Sequence, residues 1–293
     1  MKILGTGLSG LIGSRIVELL TPQGYQFEDL SKETGVDITD HRIISQRLEC
    51  SDAPWVFHLA AVTDVQGAEN ERLLGQSGLA WRVNVAATEN IATVCRMTGK
   101  RILYISTDYV FDGTKEMYTE VDRPNPKGWY AVTKYEGEKI ISEISPAGLI
   151  VRIANPYRAH PVGKKDFVHK MIERLAASQG IVAPTDQLFV PTFIDDIAEA
   201  ILELVSRGAS GICHVVGDTA ISPYEAACMV ARTYGFAVSA VSKTTFAQFS
   251  RGRAPLPQYA VLRNDKIKGM GIVMRNFSQG ITEVKRQEMK AGQ

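Results

Sequence analysis

Gly7-Leu8-Ser9-Gly10-Leu11-Ile12-Gly13 has the G-x-x-G-x-x-G spacing of a phosphate-cradling turn, and Gly5 adds a glycine just before it. Each glycine has a physical task. One permits the sharp turn after a first strand. A missing side chain lets the backbone approach a pyrophosphate. The third, Gly13, is expected to let the next helix pack closely on the sheet. That helix aims its first N–H groups and the positive end of its dipole at the anion. Glycine-rich turns are common, so context has to carry the argument. Ile3-Leu4 reads as a strand stub before the loop, and Ile16, Val17, Leu19 and Leu20 form an apolar helical face after it. Gly7, Gly10, Leu11, Ile12 and Gly13 are therefore candidate cofactor contacts. Asp29 follows Gly7 by 22 residues, a spacing that suits a carboxylate accepting from an adenine ribose. A carboxylate there favours NAD, whereas Lys32 can pair with a 2′-phosphate, so NADP and NAD both stay open. Asp37 and Ile38 are candidates for the adenine edge, although a solvated loop carboxylate reads equally well at Asp37.

Outward from the loop, short β-rich runs alternate with helical runs. Tyr25 to Phe27, Trp55 to Leu59, Arg101 to Ile105 and Leu149 to Ile153 read as strands. Val83 to Met97 and Tyr130 to Ile144 read as helices. This alternation predicts an α/β fold of Rossmann type, a doubly wound parallel sheet with helices on both faces. Later, Phe167 to Ala177, Asp195 to Val205 and Pro223 to Tyr234 look helical and Ile212 to Val216 looks like a strand, with Pro223 at a helix start where its missing N–H is tolerated. Asp64 to Ala80 is polar and glycine-dotted and is expected to be a movable loop. Ser250 to Gln258 reads as a loop as well.

Bulk properties exclude several classes. The 293 residues carry 33 Lys and Arg against 32 Asp and Glu, so no overall basic field attracts nucleic acid or an anionic membrane. No uninterrupted apolar stretch is long enough for a membrane span. Cys50, Cys95, Cys213 and Cys228 make no C-x-x-C pair and read as free thiols of a reducing compartment. No metal site is expected, the cytoplasm is the default location, and a homodimer is left open.

A Tyr-x-x-x-Lys pair places both side chains on one helical face, where the ammonium is expected to lower the tyrosine pKa and make it a proton donor to a carbonyl. Two such pairs occur, Tyr130 with Lys134 and Tyr135 with Lys139. They stand roughly 140° apart around a helix, so only one can face a cofactor. Tyr130 is favoured because it follows Pro124-Asn125-Pro126-Lys127-Gly128 and falls near the helix start, at the mouth of the sheet. Ser106-Thr107-Asp108 ends the strand before it with two hydroxyls, and a hydroxyl there can bind a substrate carbonyl. A turn or helix cap is the competing reading of these residues.

Ser106-Thr107-Asp108-Tyr109-Val110-Phe111-Asp112-Gly113 resembles the signature of dTDP-4-dehydrorhamnose reductases, extended short-chain dehydrogenases. Tyr130 to Lys139, Val56 to Ala61, and Thr185-Asp186-Gln187 with Pro191-Thr192 resemble other segments of that family and class. The resemblance spans most of the chain and weakens after about residue 240. It implies a catalytic set of Thr107, Tyr130 and Lys134, a cofactor lining that includes Ala60, Ala61, Thr63 and Ser106, and Asn84 on a helix behind the site. It also implies a nucleotide-sugar substrate, with Asp108 and Val110 on the substrate side. The fold implied is a dinucleotide-binding domain of residues 1–153, with 194–216 returning to it, and a smaller C-terminal α/β substrate domain of 154–193 and 217–293.

Some positions depart from the family. Leu256-Pro257 and Tyr259 stand where an Arg-Pro pair and an asparagine are usual, so Arg251 and Arg253 are the candidate diphosphate partners. Val65-Gln66-Gly67-Ala68 replaces a Val-Asp-Lys-Ala run, and the loop from Thr63 to Asn84 is longer than usual. Arg15 replaces a glutamate that in some members joins a metal-bridged dimer. Three functions compete: reduction of a keto group on a nucleotide-linked sugar, a non-catalytic NAD(P)-binding subunit like the regulatory subunit of methionine adenosyltransferase, and an epimerase or dehydratase of the same class.

Overall fold

Neighbouring apolar residues along each strand point to opposite faces, and this alternation builds a sheet buried on both sides. The computed structural model describes residues 1–291. Its central sheet holds β1 (Lys2–Thr6), β2 (Gln26–Asp29), β3 (Trp55–His58), β4 (Arg101–Thr107), β5 (Leu149–Ile153) and β6 (Gly211–His214). The order across it is β6-β5-β4-β3-β1-β2, with every pair parallel. Ile3, Phe57, Leu103 and Val151 face α1 (Leu11–Leu20) and α6 (Ile194–Ser206), where Ile16, Ile197 and Ile201 meet them. Leu4, Val56, Ile102 and Ile150 face the other way, against α2 (His41–Cys50), α3 (Ala87–Thr98) and α4 (Trp129–Ile144). Each such side chain contributes about 1.5–3 kcal/mol by leaving water.

The chain runs from β1 outward to β2 and then crosses back to β3 on the other flank of β1. The sheet therefore has its switch point at the carboxyl ends of β1 and β3, where open α/β sheets bind ligands. A second cluster forms around Tyr157, Val168, Phe189, Phe193 and Phe277. It packs between α5 (Phe167–Ala176), α7 (Pro223–Tyr234) and α8 (Phe277–Ala291). Arg158 joins this region to α1: its guanidinium donates to the Ser14 hydroxyl at 2.9 Å and to Glu18 at 2.6 Å. Arg15 ties α1 to α6 through two bonds to Asp195, at 2.7 and 2.8 Å.

The segment expected to be a loop, Asp64 to Ala80, is largely helical, with turns at Val65–Asn70, Arg72–Ser77 and Leu79–Trp81. Long-range bonds order it. Glu69 Oε2 accepts from Trp129 N at 2.7 Å, and Gln66 Oε1 accepts from Ala254 N at 2.8 Å. Glu69 thereby caps α4, whose own N-cap residue, Gly128, has no side chain to do so. The helix expected from Val83 opens instead with a π-helical stretch, Arg82–Ala86, before α3. Among the described residues no helix is long and apolar enough to cross a membrane.

Candidate active site

Gly7 has φ +69°, and a Cβ on it would lie 2.6 Å from Ala60 N. The loop after β1 thus lies directly against the end of β3, closer than any side chain allows. Gly13 corrects the expectation made for it. A Cβ there would meet the Gly7 carbonyl oxygen at 2.3 Å, so it lets α1 close onto the loop itself rather than onto the sheet. The N-termini of α2, α5 and α7 are capped by Asp40, Asp166 and Ser222, but the N-cap of α1 is Gly10, with no capping side chain. Its first N–H groups open into a cleft of about 620 Å³.

The cleft runs from this loop to the catalytic candidates. Gly7, Gly10, Leu11, Ile12 and Gly13 form its floor, and Asp37, Ile38, Ala60, Ala61 and Thr63 stand beside them. Ser106, Thr107, Asp108, Tyr130 and Lys134 close its inner end. Four expected contacts lie elsewhere. Asp29 is off the lining and takes a hydrogen bond from Ser31 Oγ at 2.6 Å; Leu30 to Glu33 line the cleft in its place. Val110 is fully buried with Phe111, Tyr118 and Val261, so its side chain presents nothing to a substrate. Arg251 and Arg253 sit on an exposed turn away from the lining, the Arg253 guanidinium resting 4.2 Å from the Phe249 ring centroid. Sequence reasoning passed over Arg82, which lines the cleft from the π-helical stretch.

Buried polar bonds hold the inner end. Asn84 accepts from Val62 N at 2.8 Å and donates to Val62 O at 3.1 Å and to Thr133 Oγ1 at 2.9 Å. It therefore fixes the strand-end loop to α4. His58 bridges Thr6 and Thr88 at 2.7 and 2.9 Å. Burial, helped by Lys134, pushes its pKa down to about 3, so it serves as a neutral brace. On α4, Glu138 takes two bonds from Arg152, at 2.8 and 2.6 Å, with both side chains almost fully buried.

The electrostatics differ from the expectation that lysine lowers the tyrosine pKa. Burial pushes the Tyr130 phenol above its ordinary value, the Thr107 hydroxyl opposing the shift. Lys134 Nζ lies 3.9 Å from the Tyr104 ring centroid, and burial lowers its pKa to about 7 against the pull of Glu138. Desolvation wins at both groups because each is enclosed. Burial also raises the Asp108 carboxyl to about 7. Tyr135 and Lys139 are accounted for on another face. The Lys139 ammonium sits 5.4 Å from the Tyr135 ring centroid and pairs with Glu136 at 2.6 Å.

A dinucleotide suits these residues. Two Cβ atoms would fill the glycine cradle, the N–H groups of α1 face it, and Ser106 Oγ, buried on the lining, has no partner. Among the described residues no three His, Cys, Asp or Glu side chains gather as a metal site.

Comparison with known proteins agrees with this arrangement. A family model described as the RmlD substrate binding domain matches residues 1–289. The dTDP-4-dehydrorhamnose reductase of Mycobacterium tuberculosis is 32% identical over 268 residues, covering 89% of this chain and 84% of that protein. The dTDP-4-keto-6-deoxy-D-glucose reductase of Streptomyces niveus is 30% identical, covering 96% of this chain and 95% of its own. The crystal structure of dTDP-4-dehydrorhamnose reductase from Bacillus anthracis in complex with NADP superimposes with a TM-score of 0.89 at 28% identity, over 98% of this chain and 99% of that one. The chain belongs to the dTDP-4-dehydrorhamnose reductase family of extended short-chain oxidoreductases.

Proposed function

We propose that this chain reduces a keto group on a nucleotide-linked sugar, using NADPH or NADH. One observation carries the reading: Thr107, Tyr130 and Lys134 meet at the inner end of a cleft whose outer end is the glycine cradle. The relatives named for reducing two different dTDP-linked keto sugars support the substrate class and leave the sugar itself open. Residues 1–153 and 194–216 form the dinucleotide-binding part in this reading, and 154–193 with 217–293 the substrate part.

The mechanism follows from what each side chain can do. Gly7, Gly10, Gly13 and the start of α1 would hold the diphosphate of a dinucleotide, and Ser106 and Lys134, further along the same lining, would hydrogen-bond it. The bound dinucleotide supplies the hydride. Tyr130 holds its proton firmly, since burial raises its pKa, and this is the form that reduction requires. As negative charge develops on the ketone oxygen, the phenol donates to it. Thr107 lies beside Tyr130 and orients the same oxygen. Lys134 stabilises the phenolate left behind; a cation there matters more than in water because the pocket is enclosed.

The test is turnover. Purified protein is expected to oxidise NADPH or NADH when given a dTDP-linked 4-keto-6-deoxy sugar. Tyr130→Phe should abolish this with cofactor binding nearly intact, and Tyr135→Phe should do little. No turnover with any keto sugar nucleotide, or loss with Tyr135→Phe instead, would overturn the proposal.

A further inference from the structure

The hydrogens around Thr107 can be counted. A threonine hydroxyl has one hydrogen to give and two lone pairs to receive. The Thr107 hydroxyl donates to Asp108 Oδ1 at 2.9 Å and accepts from Tyr109 N at 3.3 Å. Its second lone pair has no partner among the described residues. Asp108 is buried to 2% exposure, and its other oxygen, Oδ2, is enclosed with no partner. With the carboxylate ionised, one of the two donors a ketone needs is therefore committed elsewhere. The Thr107 hydrogen goes to Asp108.

Protonation of Asp108 reverses this order. An acid proton on Oδ1 finds an acceptor in the Thr107 oxygen, whereas one on Oδ2 finds none, so the acid donates to Thr107 instead of accepting from it. Both Thr107 lone pairs are then filled, one by Asp108 and one by Tyr109 N–H. The Thr107 hydrogen has to leave this network. It becomes available to the ketone oxygen. We propose that Asp108 is a positioning residue whose carboxylic-acid form turns the Thr107 hydroxyl toward the substrate, and whose carboxylate form turns it away. This rests on the reductase reading.

The surroundings make the acid form accessible. Burial raises the Asp108 carboxyl to about 7, against the Thr107 hydroxyl and the backbone N–H groups of its own turn. The titratable groups facing it are Tyr130 from α4 and Tyr109 from its own turn, both held neutral by burial. Lys134, one turn beyond Tyr130, lines the same cleft, and β5 contributes only Ile153 and the following Asn155 and Pro156. No cation pairs with Asp108 among the described residues.

The experiment compares kcat for wild type and Asp108→Asn between pH 5.5 and 9, with saturating cofactor and a keto sugar nucleotide. An amide can donate to Thr107 at every pH. The ratio of variant to wild-type kcat is expected to rise about tenfold per pH unit above about 7; titrations of Lys134 and Tyr130 act on both proteins and cancel in the ratio. A ratio flat with pH overturns the switch while leaving the reductase reading intact. Absence of turnover in the wild type counts against the reductase reading instead. A second measurement needs no turnover. Infrared difference spectra of the wild type should show a protonated-carboxyl band lost as pH rises through about 7 and missing in Asp108→Asn. A carboxyl already ionised at pH 5.5 overturns the switch.

Discussion

Glu138→Ala should remove a large share of the protein's stability. Arg152 lies inside β5, and its two bonds to Glu138 at 2.8 and 2.6 Å are made where both side chains are nearly sealed from solvent. Its remaining surroundings are the Phe111 ring, 5.0 Å from the guanidinium carbon, and His214 Nε2 at 3.3 Å. Burial, with the Arg152 charge second, holds His214 neutral with a pKa near 3, so the imidazole can accept a hydrogen bond but supplies no charge. Truncating Glu138 strands a buried cation, at a cost of about 3–5 kcal/mol. Folded domains have about 5–15 kcal/mol in total. With a urea slope of about 3 kcal/mol per molar, the unfolding midpoint should fall by roughly 1–1.7 M. The double variant Glu138→Leu with Arg152→Met should recover most of the loss, because no charge is then left buried. Urea unfolding followed by circular dichroism reads all three proteins. A loss under about 1 kcal/mol in the single variant, or a double variant no better than the single, would refute the reasoning.

Three further outcomes are expected. Gly7→Ala places a Cβ 2.6 Å from Ala60 N in a left-handed conformation, so cofactor affinity should fall at least tenfold by fluorescence titration, with the fold retained. Glu69→Ala removes the distant cap of α4 and should cost about 1 kcal/mol in urea unfolding while lowering kcat, because Tyr130 stands in the first turn of that helix. His169 is partly buried, which lowers its pKa, but its bonds to Asp166 and Glu288 outweigh this and raise it to about 9. Its folded pKa exceeds the unfolded value of about 6.5, so its contribution is full below that value and is lost as pH rises to about 9. Thermal unfolding of wild type should decline relative to His169→Gln across that window.

Local signals wrote much of this fold plainly. Leu149–Ile153 is a strand with every residue buried, as its apolar run suggests. Pro223–Tyr234 begins with a Ser222–Glu225 capping box and ends at a left-handed Gly235, so both ends are marked by nearby residues. The glycine loop and the Tyr130 helix are legible for the same reason. What escaped depends on partners far along the chain. Residues 65–81 are ordered by bonds to Trp129 and Ala254, which leave no periodic trace in the segment itself. Arg158 reaches back to Ser14 and Glu18 in the same way. One signal was available and unused: Arg152 interrupts an apolar strand, and a charge in a buried strand requires a partner. The tyrosine pKa was misjudged because adjacency on a helix suggested a charge effect, whereas enclosure of the site decides the sign.

Tracing the hydrogen is the most direct test of the central claim. The protein would be incubated with a dTDP-linked 4-keto-6-deoxy sugar and nicotinamide cofactor deuterated on its transferable position. The account expects one deuterium on the new carbinol carbon of the sugar, with cofactor consumed in equal amount. A sugar product without deuterium, or formed without net cofactor oxidation, would contradict it.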